Sequence, residues 1–233
     1  MNPPLIAALA VAGLLAGYPQ RAIIASYTPA EDPQPEDPQS QPRRPPWPAI
    51  GAVTAILLAT LAARIYPALT HPGLIHPGLI LAAACWFTLC AVPLAFTDAA
   101  VRRLPDRLTG AAYAGTFLLL LAAAAVSGPW SAVARAFLGG LALAAFYFLL
   151  VIISPSGMGL GDVKLAASVG VLLAWFGWPT LLAGGVAGFL LAGLSGIALL
   201  VTHRATRKQQ LPFGPFMIAG ALAVLLAWPA GLT

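Results

Sequence analysis

Apolar residues run in long blocks along this chain, and short clusters of proline, glycine and charge separate the blocks. A bilayer core about 30 Å thick needs roughly 20 apolar residues per helical span, and blocks of that order recur from end to end. The punctuation predicts eight helices, over about residues 4–24, 48–67, 78–97, 109–127, 130–153, 163–178, 180–202 and 213–231. The fold class that follows is all-α, a polytopic membrane helix bundle with about eight transmembrane helices. The first helix is the weakest, because its clean apolar stretch from Pro4 to Tyr18 is short and Arg21 must snorkel if the span runs on through AIIASY. A cleaved signal peptide is the rival there, although no Lys or Arg precedes the apolar run.

One polar insert breaks the pattern. Residues 28–48, TPAEDPQPEDPQSQPRRPPWP, hold four acids and two arginines among prolines and too few apolar residues to bury a core. They read as a solvated, flexible cytoplasmic loop, which divides the chain into a first transmembrane helix (1–27), the Pro-rich loop (28–48) and a seven-helix core (49–233). HPGLIHPGLI, residues 71–80, reads as a duplicated turn, with His71 and His76 as metal contacts the lesser alternative. Gly184 and Gly188 have the small-xxx-small spacing that lets helices approach closely.

Composition reinforces the membrane assignment: of 233 residues 60% are hydrophobic and 8% charged, and the mean hydropathy is +0.87, far from a soluble domain. A net charge of +5 would suit nucleic acid, but the basic residues are scattered between apolar blocks rather than gathered in a patch. Orientation accounts for them better. With the N-terminus outside, the loops after helices one, three, five and seven and their edges carry Arg21, Arg43, Arg44, Arg102, Arg103, Arg107, Lys164, Arg204, Arg207 and Lys208, against Arg64 and Arg135 on the other side. The positive-inside rule then places the first set in the cytoplasm. Cys85 and Cys90 lie inside an apolar span without CxxC spacing and read as core packing.

Two acids stand apart. Four of the seven acidic residues lie in the Pro-rich insert and Asp106 lies in a polar loop after Pro105, whereas Asp98 and Asp162 border apolar spans. An ionisable group near membrane depth is costly and points to function. Asp98 ends the third predicted span and Asp162 opens the sixth, so two intervening spans return the chain to the same face. Two carboxylates brought together cannot both ionise easily, so one can serve as a base while the other holds a proton, as in aspartic proteases. The dipole of the sixth helix favours Asp162 as the anion and that of the third disfavours Asp98, which makes Asp162 the expected base. Gly157, Gly159 and Gly161 alternate just before Asp162, a pattern for an open, sharply turned backbone, although GMGLGD taken alone favours a flexible turn. A transporter that uses two intramembrane carboxylates is the competing function.

Three ordered segments carry a resemblance: TDAAVRRLPDRLT (97–109), GMGLGDVKLAA (157–167) and LPFGPF (211–216). They resemble motifs of the type IV prepilin peptidases, membrane aspartyl proteases of the GxGD class. The resemblance covers about residues 78–233 well and the first 77 only in general layout. It implies that Asp98 and Asp162 are the catalytic pair, that Lys164 falls on the family's usual lysine, and that Pro105, Gly157, Gly159, Gly161 and Lys164 bind substrate or shape the site. It also implies a seven-helix peptidase core over 49–233 in the bacterial inner membrane, with the active site toward the cytoplasm. The substrates it implies are prepilin or pseudopilin precursors with a short basic leader. Neither a metal nor a cofactor is expected. Bifunctional members carry a larger first loop, often with CxxC pairs that bind zinc, and also N-methylate the new terminus; this sequence has neither feature, so a peptidase without methyl transfer is the expectation and a bifunctional enzyme the alternative.

Overall fold

A computed structural model describes residues 2–28, 46–69, 77–154, 158–202 and 212–227. The Pro-rich insert from 29 to 45, both histidines of the duplicated turn and Gly157 lie outside the described residues. Eight α-helices make up the described chain: α1 (Pro3–Tyr27), α2 (Trp47–Leu69), α3 (Pro77–Val101), α4 (Asp106–Ser127), α5 (Trp130–Ile153), α6 (Leu160–Trp175), α7 (Trp178–Val201) and α8 (Gly214–Ala227). The all-α membrane bundle expected from the apolar blocks is the architecture observed.

Prolines and glycines bound these helices for local reasons. Pro3 and Pro4 sit in the first turn of α1, where the missing N–H costs nothing. Gly128, at φ 87°, takes the left-handed conformation that ends α4. Gly177, at φ 133°, stops α6 three residues before the predicted end at 178, and Pro179 then opens α7. Among the described residues six helices are long and apolar enough to cross a membrane. The exceptions are α6 with 16 residues and the described α8 with 14, which at 1.5 Å per residue reach roughly 24 and 21 Å, short of a bilayer core.

Burial runs from the centre outward. In α3, 67% of the spanning window is buried, against 17% in α1 and in α7. The outer helices expose large apolar side chains, among them Leu15, Tyr18, Ile153, Leu182 and Leu194, a perimeter suited to lipid rather than to water. Small residues draw the helices together. A Cβ on Gly170 of α6 would lie 2.6 Å from the Gly139 carbonyl oxygen of α5, and one on Gly188 of α7 would lie 3.2 Å from Met217 Cα of α8. Gly188, flagged by its spacing, therefore sits at the α7–α8 crossing, while Gly184 abuts Leu173 of α6. A buried polar link ties α1 to its neighbours: Thr54 Oγ1 donates to Gln20 Oε1 at 2.8 Å, and Gln20 Nε2 donates to the Leu89 carbonyl at 3.0 Å.

Helix direction alternates through this frame. The C-termini of α3, α5 and α7 and the N-termini of α4, α6 and α8 thus fall toward one end of the bundle. Both notable acids lie there.

Candidate active site

Asp98 sits in the last turn of α3, which runs four residues beyond the predicted end at 97. The helix closes at Arg102, a non-glycine residue at φ 53° whose N–H donates to the Asp98 carbonyl at 2.8 Å. The Asp98 side chain is only 5% exposed, and its Oδ2 accepts the Gly214 backbone N–H at 3.0 Å. Gly214 is the first residue of α8. A Cβ there would stand 2.8 Å from Asp98 Oδ2 and 3.2 Å from its Cγ, so the missing side chain is what admits the carboxylate to the helix N-terminus.

Asp162 has the same arrangement on a second helix. It is the third residue of α6, 9% exposed, and its Oδ2 accepts the Gly159 N–H at 3.0 Å. This is the carboxylate half of a capping box, closing the first turn on the residue that precedes the helix. The two carboxylates lie close enough to interact electrostatically, and α3, α6 and α8 all pack against one another here. The 63 residues between the acids are therefore spanned by the two intervening helices, as their positions at opposite ends of the predicted spans required. Among the described residues neither acid has an ion-pair partner; the one ion pair, Lys164 Nζ to Asp106 Oδ1 at 2.5 Å, lies on the exposed surface.

Several expectations need correction. The alternating glycines do not form an open loop up to Asp162, because α6 begins at Leu160 and takes in Gly161. Asp162 supplies the cap that starts the helix early. Gly161 is needed for packing instead: a Cβ there would press within 2.9 Å of Leu104 Cβ in the α3–α4 turn. Gly159 is the N-cap, and a Cβ there would make only ordinary contacts, 3.8 Å from Gly161 N and 3.9 Å from Asp162 Oδ2. Asp106 is the first residue of α4 rather than a loop residue, with Pro105 as its N-cap. Lys164 bonds to Asp106 and so ties α6 to α4 at the surface. Asp98 lies against the N-terminus of α8, so both carboxylates meet a helix N-terminus and the helix dipoles alone do not distinguish base from acid.

Gly214 is the residue that sequence reasoning missed as a site member. A glycine followed by proline marks a helix start, but which acid that start would meet is a tertiary fact. Among the described residues no group of three or more His, Cys, Asp or Glu side chains could hold a metal ion. Cys85 and Cys90 are free and buried within α3.

The profile of the type IV leader peptidase family matches residues 81–201, which include both aspartates. The chain belongs to that family. The prepilin leader peptidase/N-methyltransferase of Aeromonas hydrophila is 32% identical over 189 residues, covering 80% of this chain and 60% of that protein. The protein of the same name from Bacillus subtilis (strain 168) is 33% identical over 182 residues, 77% of this chain and 65% of that protein. The chain thus spans about 60–65% of the length of these leader peptidase relatives. No solved structure matches it.

Proposed function

We propose that this family member is a membrane aspartic endopeptidase that removes the leader from prepilin-like precursors, with Asp98 and Asp162 as its paired acids. The observation that carries this reading is a pair of buried carboxylates on separate helices, each held by one backbone N–H and neither neutralised by a cation among the described residues. Burying two unneutralised acids is expensive, and the bundle would pack more cheaply without them. Such a pair suits the hydrolysis of an amide.

In that chemistry a water lies between the carboxylates. The ionised acid takes a proton from the water as its oxygen attacks the scissile carbonyl, and the protonated acid donates to the carbonyl oxygen. Collapse of the tetrahedral intermediate breaks the C–N bond, and a proton returned from the dyad leaves with the new amine. The backbone N–H groups of Gly159 and Gly214 keep one oxygen of each carboxylate fixed, which orients the other toward the water. Neither a metal nor a covalent intermediate takes part.

The end of the bundle that holds the dyad also carries Arg102, Arg103, Arg107 and Lys164. The positive-inside rule then turns it to the cytoplasm, in the bacterial inner membrane. A short basic leader would meet the acids there as it enters the bilayer. The relatives' names also include N-methyltransferase, which favours a bifunctional enzyme as the second reading.

Co-expression with a prepilin-like precursor tests the proposal: the leader should be lost with the wild-type chain and retained with Asp98→Asn or Asp162→Asn, with membrane insertion of all three unchanged. Processing by either variant would remove the dyad from consideration. Transfer of a labelled methyl group from S-adenosylmethionine to the new N-terminus would establish the second reading.

A further inference from the structure

Tyr147 of α5 is the largest fully buried side chain in the bundle, and its hydroxyl has no hydrogen-bond partner among the described residues. A buried, unpaired phenol is a standing cost that a phenylalanine would not incur. Its position suggests why it is there. Gly140 of α5 lies against Gly170 of α6, where a Cβ on Gly170 would stand 2.8 Å from Gly140 Cα. The two helices are antiparallel. Seven residues forward from Gly140 is Tyr147, and eight back from Gly170 is Asp162, so the two side chains arise at nearly the same level, with Tyr147 two turns along the face of α5 that meets α6.

The ring is held on its other side as well. Its centroid lies 5.6 Å from that of Phe213 and 5.5 Å from that of Phe189, and Phe213 directly precedes Gly214, the donor to Asp98. Thr97, beside Asp98, also has an unpaired hydroxyl, but a helical neighbour points about 100° away.

The N–H groups of Gly159 and Gly214 are both engaged by the carboxylates, so neither is free to receive the oxyanion that develops on a reacting carbonyl. We infer that Tyr147 is a further catalytic residue, whose hydroxyl donates a hydrogen bond to the scissile carbonyl oxygen as charge develops on it. This inference rests on the endopeptidase reading above.

The test is Tyr147→Phe, which removes one oxygen and keeps the ring cluster. With purified full-length protein and a prepilin-like precursor, kcat should fall about 100-fold, the usual cost of losing one oxyanion donor, with KM within about threefold and the melting temperature equal or higher. A second variant, Phe146→Leu, perturbs the same cluster (ring centroids 5.8 Å apart) without touching the hydroxyl, and should keep the wild-type kcat per folded molecule. A Tyr147→Phe kcat within twofold of wild type, or an equal loss in Phe146→Leu, would overturn the inference and leave the endopeptidase reading intact. Folded wild-type protein that cleaves no precursor would overturn both.

Discussion

The two ends of α6 and α8 make an instructive pair. At one end their N-termini offer backbone N–H groups to anions: α6 begins at the Gly159 donor to Asp162, and α8 begins at the Gly214 donor to Asp98. At the other end their carbonyls meet cations. Arg135 Nε and Nη2 donate to the Ala174 and Trp175 carbonyls at 2.7 and 2.6 Å, and Arg64 Nε donates to the Leu226 carbonyl at 3.1 Å. Both ends follow the same physics of orphan backbone groups and helix dipoles. They differ in what else the charge can do. An arginine stays protonated and can only hold carbonyls in place, whereas a carboxylate beside a second carboxylate can exchange a proton. Charge at the arginine end is therefore structural, whereas the paired carboxylates are the charge that the proposed hydrolysis would use.

Substitutions at the two ends should separate along that line. The largest effect is expected from Asp98→Asn or Asp162→Asn, each lowering the cleavage rate by about 10²–10⁴-fold, the range for general acid–base groups, with little change in melting temperature. A pronounced loss of folded protein instead would place the acids in the structural class and break the contrast. Gly214→Ala comes next. Its methyl group would displace the Asp98 carboxylate, and cleavage should fall on the order of 100-fold, as misplacement of a catalytic group by about 1 Å does.

At the arginine end the readout should switch to stability. Arg135→Ala removes two charge-assisted hydrogen bonds, each worth about 1.5–3 kcal/mol for a charged donor, so the melting temperature in detergent should drop while cleavage per folded molecule holds. Arg135→Lys should recover part of the loss, since a lysine cannot reproduce the two-pronged geometry. The smallest effect is expected at the exposed Lys164–Asp106 pair: Asp106→Ala should change stability by less than about 1 kcal/mol, and less still at high salt. A larger change would give that pair a share in holding α4 against α6.

Much of the fold was legible along the chain because burial in lipid leaves one strong signal, an uninterrupted apolar block, and helix ends leave another in proline, glycine and charge. Helix ends set by a side-chain cap were less legible. The apolar run suggested that α6 starts near 163, but Asp162 folds back on Gly159 and starts it at Leu160. The third span was expected to end near 97, yet Arg102 takes the left-handed conformation and lets α3 carry Asp98 inside its last turn. Gly161 read as loop chemistry and is a packing contact with Leu104, because a glycine signals a missing Cβ without saying which neighbour needs the room.

The sequence by itself determined that the chain is a membrane helix bundle and that Asp98 and Asp162 fall on the same face. Those properties depend only on local composition and on the parity of the intervening spans. Only the tertiary structure decided what each acid faces. Asp98 meets a helix N-terminus that begins 116 residues further along the chain, and the charged ends of α6 and α8 are matched by arginines from α5 and α2. No local pattern encodes such pairings, because they arise when separate helices pack and leave their unsatisfied backbone groups within reach of one another.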